Sequence, residues 1–475
     1  MIFQIIKYSI IAIFTYIVYT ILEIVIPPFN FPRNIPTIPF YVSFLGAYTN
    51  LDQKQIYNIY LREKLEKYGA VKIYFASRWN ILVSKPEYLI TIFKNEDVYA
   101  KSGNHIKIPG TVLANYTGDN IISAHGELWR LYREVVAQSI QFPDFEPIYE
   151  NTKSLLEMIN HATKESNTIA VTDIVQRYSL QNAGRSIIGV DFKALGKSPS
   201  TMHQKIKYVK SQIFDPFYLN FPYFDKFPIP SRLKAKREVD TFRGWFGQNL
   251  IDEHSKELTN SGATKLVDAF FAEKLTEQQY LDNAIILMVA GHENPLLLML
   301  SLLYVVSKHG DVQENLRSHA ANENEAFLQS VIYETLRMFP PLGQIINRCT
   351  TRTTVLGKDI VIPKGTYVGY NNLATGRDRN IWGPDADEFK PERWGSTIDE
   401  INLNYSKAKR SARLPAFHGR KRACLGEKFA LFEVKEFILN IIKTYKVSLD
   451  ETWNEKVTPA GPISPMGLRV KFEKL

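Results

Sequence analysis

Between Gln278 and Lys308 the chain carries a helical stretch that is apolar around nearly its whole circumference, NAIILMVAGHENPLLLMLSLLYVVSK. An all-round apolar helix has to be buried, in a large core or in a membrane. Gly291, His292, Glu293 and Asn294 interrupt it near the middle, and a carboxylate is costly in lipid. The stretch therefore predicts the central helix of a large water-exposed body. Pro295 cannot donate to the carbonyl of Gly291, one turn earlier. A glycine, a proline and a freed carbonyl together predict that the helix opens there, at a place suited to a ligand.

The first 26 residues have a different character. From Tyr8 to Ile26 the run YSIIAIFTYIVYTILEIVI has Glu23 as its single charge. As a helix these 19 residues would span roughly 28 Å, the thickness of a bilayer's hydrocarbon layer. Prolines follow at 27, 28, 32, 36 and 39. The expected organisation is a membrane anchor helix over 1–26, a proline-rich hinge over 27–45 and one catalytic body over 46–475. No A-x-A-like site follows the apolar run, which argues against a cleaved signal peptide. The charge pattern leaves the orientation open, with Lys7 before the run and Arg33 after it.

Across the body, residues 51–68 have helical spacing and end at Gly69. VKIYFASRWNILVSKP reads as two short strands around a polar turn. Residues 120–345 are mainly helical in pattern, 350–370 read as short strands, and a last helix is expected from Leu425 to Lys446. The fold class is mainly α with a small β-sheet at each end of the body.

Two cysteines, Cys349 and Cys424, do not make the paired framework of a secreted chain. The excess of Lys and Arg over Asp and Glu, 58 − 49 = 9, suits an anionic membrane surface or acidic partners. The basic residues are spread along the chain with no nucleic-acid motif, so no nucleic-acid partner is expected.

Cys424 lies in PAFHGRKRACLGEKF, after a Gly- and Arg-rich loop and before a helix. A helix N-terminus and the positive charges of Arg420, Lys421, Arg422 and Lys428 are expected to favour the thiolate, the form that ligates metal. Upstream stand ETLR, with Glu334 and Arg337 on one helix face, and FKPERW, with Arg393. In this order and spacing the three motifs resemble the cytochrome P450 family, over essentially the whole chain.

The resemblance implies the P450 fold and a haem b (iron protoporphyrin IX) cofactor with Cys424 as axial metal ligand. It places Phe417 beside the sulfur and Gly426 after it. Glu334, Arg337 and Arg393 become a buried bracing triad. Trp129, Arg133, Arg348 and Arg422 would hold the haem propionates, a role suited to guanidinium forks. Cys349 is read as structural. AGHEN, with Ala290 and Gly291, matches the oxygen-binding segment, so that Glu293 and Asn294 would relay protons to O2. Two departures stand out. Asn294 replaces the usual Thr, and Arg420 replaces a glycine at a position expected to need unusual backbone angles.

AGHENP, FKPERWG and FHG…RACLGEKFAL further resemble fungal sporulation P450s that couple N-formyltyrosine into bisformyl dityrosine. His105 and Lys107 are candidate cations for the substrate carboxylate. Fungal hydroxylation of fatty acids, sterols or xenobiotics is the alternative reaction, and haem binding without turnover the alternative outside enzymes. The expected electron donor is a membrane-bound NADPH-cytochrome P450 reductase, docking near Lys421, Lys428 and Lys435. The expected location is the endoplasmic reticulum membrane with the haem domain in the cytosol.

Overall fold

The computed structural model describes residues 2–254, 261–321 and 325–475. The N-terminal helix Ile2–Val25 projects from the body with its apolar side chains exposed. Its 24 residues would reach about 36 Å, and it is apolar enough to be a membrane anchor. It meets the body where Trp79 donates its indole N–H to the Glu23 carbonyl at 3.0 Å.

The helical pattern over 51–68 is realised in three pieces. Asp52 caps Gln53–Ile56, and its box is closed by Gln55. A π-turn over Tyr57–Leu61 follows, then Arg62–Tyr68. Gly69 ends the run in the left-handed region at φ 71°, a conformation that costs glycine least.

The expected pair of sheets, one at each end of the body, is not what forms. Ala70–Phe75 and Arg78–Val83 make a hairpin, and Arg78–Val83 then pairs in parallel with Tyr367–Asn371. Gln344–Thr350 and Tyr99–Lys101 complete one five-stranded sheet. Both early strands are buried almost throughout, so they need cover from distant chain. A strand's side-chain pattern does not encode that partner. A three-stranded sheet of Thr168–Ala170, Arg469–Lys474 and Tyr445–Leu449 lies elsewhere, with a small hairpin of Thr354–Leu356 and Ile360–Ile362.

The central helix runs from Glu277 to Lys308, started by a capping box of Thr276 and Gln279. Its helical course continues through Pro295, so the expected opening is confined to the one hydrogen bond that proline cannot make. Ala284–Met288 belong to one hydrophobic core, together with side chains of Pro230–His254 and Thr201–Ile213. Leu296 and Leu298–Val306 belong to a second core, with Ala326–Met338 and the last helix, Glu427–Thr444. Gly291–Asn294 therefore stand where the two cores part. The last helix is shorter than expected at both ends. Gly426 is its N-cap, and Tyr445 and Lys446 already belong to a strand.

Candidate active site

A cavity opens at that junction. Ala290, Gly291, Asn294 and Pro295 of the central helix line it, and so do Phe417, Cys424 and Gly426 of the cysteine loop. The loop is shaped by its own backbone. Ala423 N–H donates to the Arg420 carbonyl at 3.1 Å, and Cys424 N–H to the Phe417 carbonyl at 2.9 Å. His418 and Arg420 take φ of 61° and 58°. The position read as needing glycine-like angles does need them, and Arg420 adopts them at a cost of about 1–2 kcal/mol.

The thiol itself departs from expectation. The Cys424 side chain is open to the cavity, yet the desolvation of that enclosed, largely apolar slot pushes its thiol up to about 11; the Gly426 N–H opposes this, while Glu427 adds to it. The cation that opposes this push is Lys409, from outside the loop, and not Arg420, Lys421 or Arg422. A bound cation supplies what burial removes, since metal ligation stabilises the deprotonated form.

Positive charge gathers instead at the cavity edge, where Lys101, Trp129, Arg133, Lys421 and Arg422 line the wall. Arg422 and Arg133 lie over the Trp129 ring at 4.0 and 5.6 Å. Arg422 also pairs with Glu96 and donates to the Ala124 carbonyl at 2.9 Å, yet its Nη1 is buried without a partner. The Tyr370 hydroxyl, on the same wall, is likewise buried and unpartnered. Burial, reinforced by Arg348 and Arg422, holds the Lys101 ammonium well below its usual range. The rest of the wall is largely apolar, including Ile121, Ile286, Leu287 and Leu298. An apolar slot with a thiol on its wall, several cationic side chains along one side and an unpartnered Arg422 N–H suits a flat apolar metal complex with carboxylate arms. These residues fit a haem. Lys101 and Tyr370 escaped the sequence reading because nothing local marks a strand residue as facing a distant loop.

Two expected site residues do not line this cavity. Arg348 is buried on Gln344–Thr350, donating to the Tyr99 carbonyl at 3.0 Å and approaching His418 Nε2 at 3.1 Å and Glu96 at 3.6 Å. It backs the edge that Arg422 forms. Glu293 turns to Lys210 of Thr201–Ile213, with both carboxylate oxygens within 2.8 Å of Nζ, and to His292 Nε2 at 2.8 Å. Burial would raise its carboxyl, but His292 and then Lys210 hold it down at about 2. Asn294 thus faces the cavity while Glu293 sits in an ion pair between two helices. His105 and Lys107 are not on the wall either. His105 lies 3.6 Å from Asp119. Lys107 is buried against the Phe75 and Tyr367 rings and donates to the Ile346 carbonyl at 3.2 Å. Burial and then Arg78 lower it to about 7. Cys349 is a half-buried strand residue paired with Tyr367 and Ala100, as a structural role requires.

The bracing motif is fully assembled. Arg337 Nε and Nη2 donate to the two oxygens of Glu334 at 2.9 and 2.7 Å, and neither side chain is exposed. Arg393 Nε and the Lys390 N–H add bonds to Glu334 at 3.2 and 3.0 Å. Trp394 Nε1 adds one at 3.1 Å, a member the sequence reading did not pick out. Arg337 also donates to the carbonyls of Ala386 and Glu388. A buried charge is tolerated when its hydrogen-bonding capacity is filled, as it is here.

Comparison with known proteins agrees with this geometry. The family model described as Cytochrome P450 matches residues 35–469. The chain is 46% identical to Cytochrome P450-DIT2 of Saccharomyces cerevisiae over 484 aligned residues, covering 99% of both chains. It is 34% identical to Cytochrome P450 monooxygenase xanG of Aspergillus fumigatus, over 91% of this chain and 85% of the relative. It is 24% identical to Cytochrome P450 94A1 of Vicia sativa, over 77% and 76%. Membership of that family implies a haem cofactor, and this chain is a monooxygenase of the cytochrome P450 family.

Proposed function

We propose that the protein oxidatively couples two molecules of N-formyltyrosine into bisformyl dityrosine for a spore or cell wall. The observation that carries this reading is full-length similarity to the yeast P450, together with the AGHENP, FKPERWG and FHG…RACLGEKFAL motifs. The reaction balances as two phenols, O2, two electrons and two protons giving one carbon–carbon dimer and two waters.

A haem b with a thiolate ligand supplies dioxygen activation. The chain's own residues supply the rest. Cys424 would ligate the iron. Trp129, Arg133 and Arg422 would hold the propionates, with Arg348 backing Arg422 and Lys101 adding a further cation. Phe417 and Gly426 shape the backbone around the sulfur. The Asn294 amide both donates and accepts hydrogen bonds and stands on the cavity wall, where it can orient a water that carries protons inward. Glu293 takes part in that delivery by way of its turn of helix, not from the wall. Lys107, held by Ile346 and two rings, is not free to clamp a substrate carboxylate.

The electron donor in this reading is NADPH-cytochrome P450 reductase. Lys421 and Lys428 are exposed for it, whereas Lys435 is engaged with Glu325 at 2.7 Å. The anchor would hold the haem domain on the cytosolic face of the endoplasmic reticulum. The apolar lining favours a second reading, hydroxylation of a fatty acid, sterol or xenobiotic. The test supplies N-formyltyrosine and a reductase to membranes bearing the protein. Formation of the dimer, dependent on NADPH, supports coupling; oxidation of lipids or sterols without any dimer refutes it.

A further inference from the structure

Close behind Cys424 in the chain, a carboxylate reaches a stack of oxidisable rings. Glu427 opens the last helix, three residues after Cys424, so its Cα lies within about 11 Å of the cysteine Cα. Tyr405 donates its hydroxyl to Glu427 Oε1 at 2.8 Å, and the Lys409 ammonium holds the same carboxylate. The Tyr405 ring lies flat on Tyr333, with centroids 3.8 Å apart and 3° between the planes. Aromatic pairs ordinarily sit farther apart, offset or edge to face. Trp394 stands edge-on to Tyr333 and Tyr405, at 5.7 and 6.3 Å. The three rings are buried and come from three elements, Ala326–Met338, Pro391–Trp394 and Ile398–Arg410. Binding the haem and shaping the cavity use none of the three rings.

We propose that Tyr405 is a protein-centred one-electron donor to the haem site, with Glu427 as the base that takes its proton and Tyr333 as the ring that shares the unpaired electron. The device drains oxidising equivalents when no substrate is bound. The inference rests on the haem-thiolate assignment and not on the choice of substrate.

Other aromatic side chains near the haem site are less suited. Trp129 is on the cavity wall, but Arg422 and Arg133 over its ring oppose a positive charge there. The Tyr370 hydroxyl on the same wall has no partner, so its proton has no acceptor. Tyr405 also has a cation near its ring, Lys409 Nζ at 5.1 Å from the centroid. Its phenol must therefore shed the proton as it gives up the electron, and Glu427 is placed to take it. The step balances. Activation of O2 with two electrons and two protons releases one oxygen as water and leaves the site two electrons short of rest. Tyr405 gives one electron to the haem centre as its O–H bond breaks and the proton passes to Glu427. The reductase gives the other, and with two solvent protons the second oxygen leaves as water. A last reductase electron and the proton held on Glu427 restore the phenol.

The test reacts full-length, haem-loaded wild type, Tyr405→Phe and Glu427→Gln with hydrogen peroxide, without substrate or reductase. Peroxide releases one oxygen as water and leaves the site at the same oxidation level. Rapid freezing and electron paramagnetic resonance read the radical, and mass spectrometry of the recovered chain reads which ring was oxidised. Wild type should give a tyrosyl signal that narrows on ring-deuterated tyrosine, with cross-linked or hydroxylated products at Tyr405 or Tyr333. Tyr405→Phe keeps a ring for the stack and should lose most of that signal, while its haem bleaches faster. Glu427→Gln can still accept the hydrogen bond but cannot keep the proton, and should lower the radical yield with Tyr405 in place. The reduced carbon-monoxide spectrum is recorded first, and a wild type without the thiolate-type band would contradict the haem assignment itself. A loaded wild type whose signal ignores tyrosine deuteration, products confined to other tyrosines, or a Tyr405→Phe protein with the wild-type radical overturns this inference alone.

Discussion

At the scale of single residues, the site is decided by what burial does to charge. Glu334 is wholly buried and accepts from Arg337, Arg393, Trp394 and the Lys390 N–H. Removing one partner strands the other charges. Arg337→Ala should cost about 3–5 kcal/mol in chemical denaturation, whereas the same change at exposed Arg352 should cost at most about 1 kcal/mol. Arg420, at φ 58°, is the opposite case. Arg420→Gly should raise the denaturation free energy by about 1 kcal/mol, because glycine accepts that backbone without strain. Both roles were legible in the sequence, the first from motif spacing and the second from the missing glycine. The upward push on the Cys424 thiol was not, because adjacent basic residues say nothing about where their side chains point. Glu293 shows the same limit: its neighbours in sequence place it in the helix turn beside the cavity, but Lys210, far away in sequence, decides where its carboxylate faces.

At the scale of elements, the central helix was legible because apolar residues around its whole circumference leave no alternative to burial. The strands' composition was legible too, but not their pairing. The parallel register of Asn80 with Tyr367 joins segments far apart in the chain, and local pattern carries no record of it. The ion pair between Thr201–Ile213 and the central helix gives this scale its prediction. The Glu293 carboxyl is held below its unfolded value, at about 2. Its contribution to stability is therefore complete above the unfolded value and vanishes as pH falls through the folded one. Lys210→Met should lower the urea midpoint at neutral pH, and the gap from wild type should close toward about pH 2. A gap independent of pH would mean that Lys210 acts by packing alone.

At the scale of the whole molecule, two hydrophobic cores meet along one helix and part around a cavity. The apolar helix Ile2–Val25 contributes to no hydrophobic core among the described residues. Deleting residues 1–26 should move the protein from the membrane pellet toward the soluble fraction in fractionation, with the haem spectrum unchanged. A soluble full-length chain would remove the anchor from this account. The central claim is the bond from the Cys424 sulfur to haem iron, and the reduced carbon-monoxide difference spectrum of the full-length protein tests it most directly. The intact chain should show the thiolate-type Soret band, and Cys424→Ala should lose it completely. A colourless intact chain after haem supplementation, or an unchanged band in Cys424→Ala, would contradict the claim.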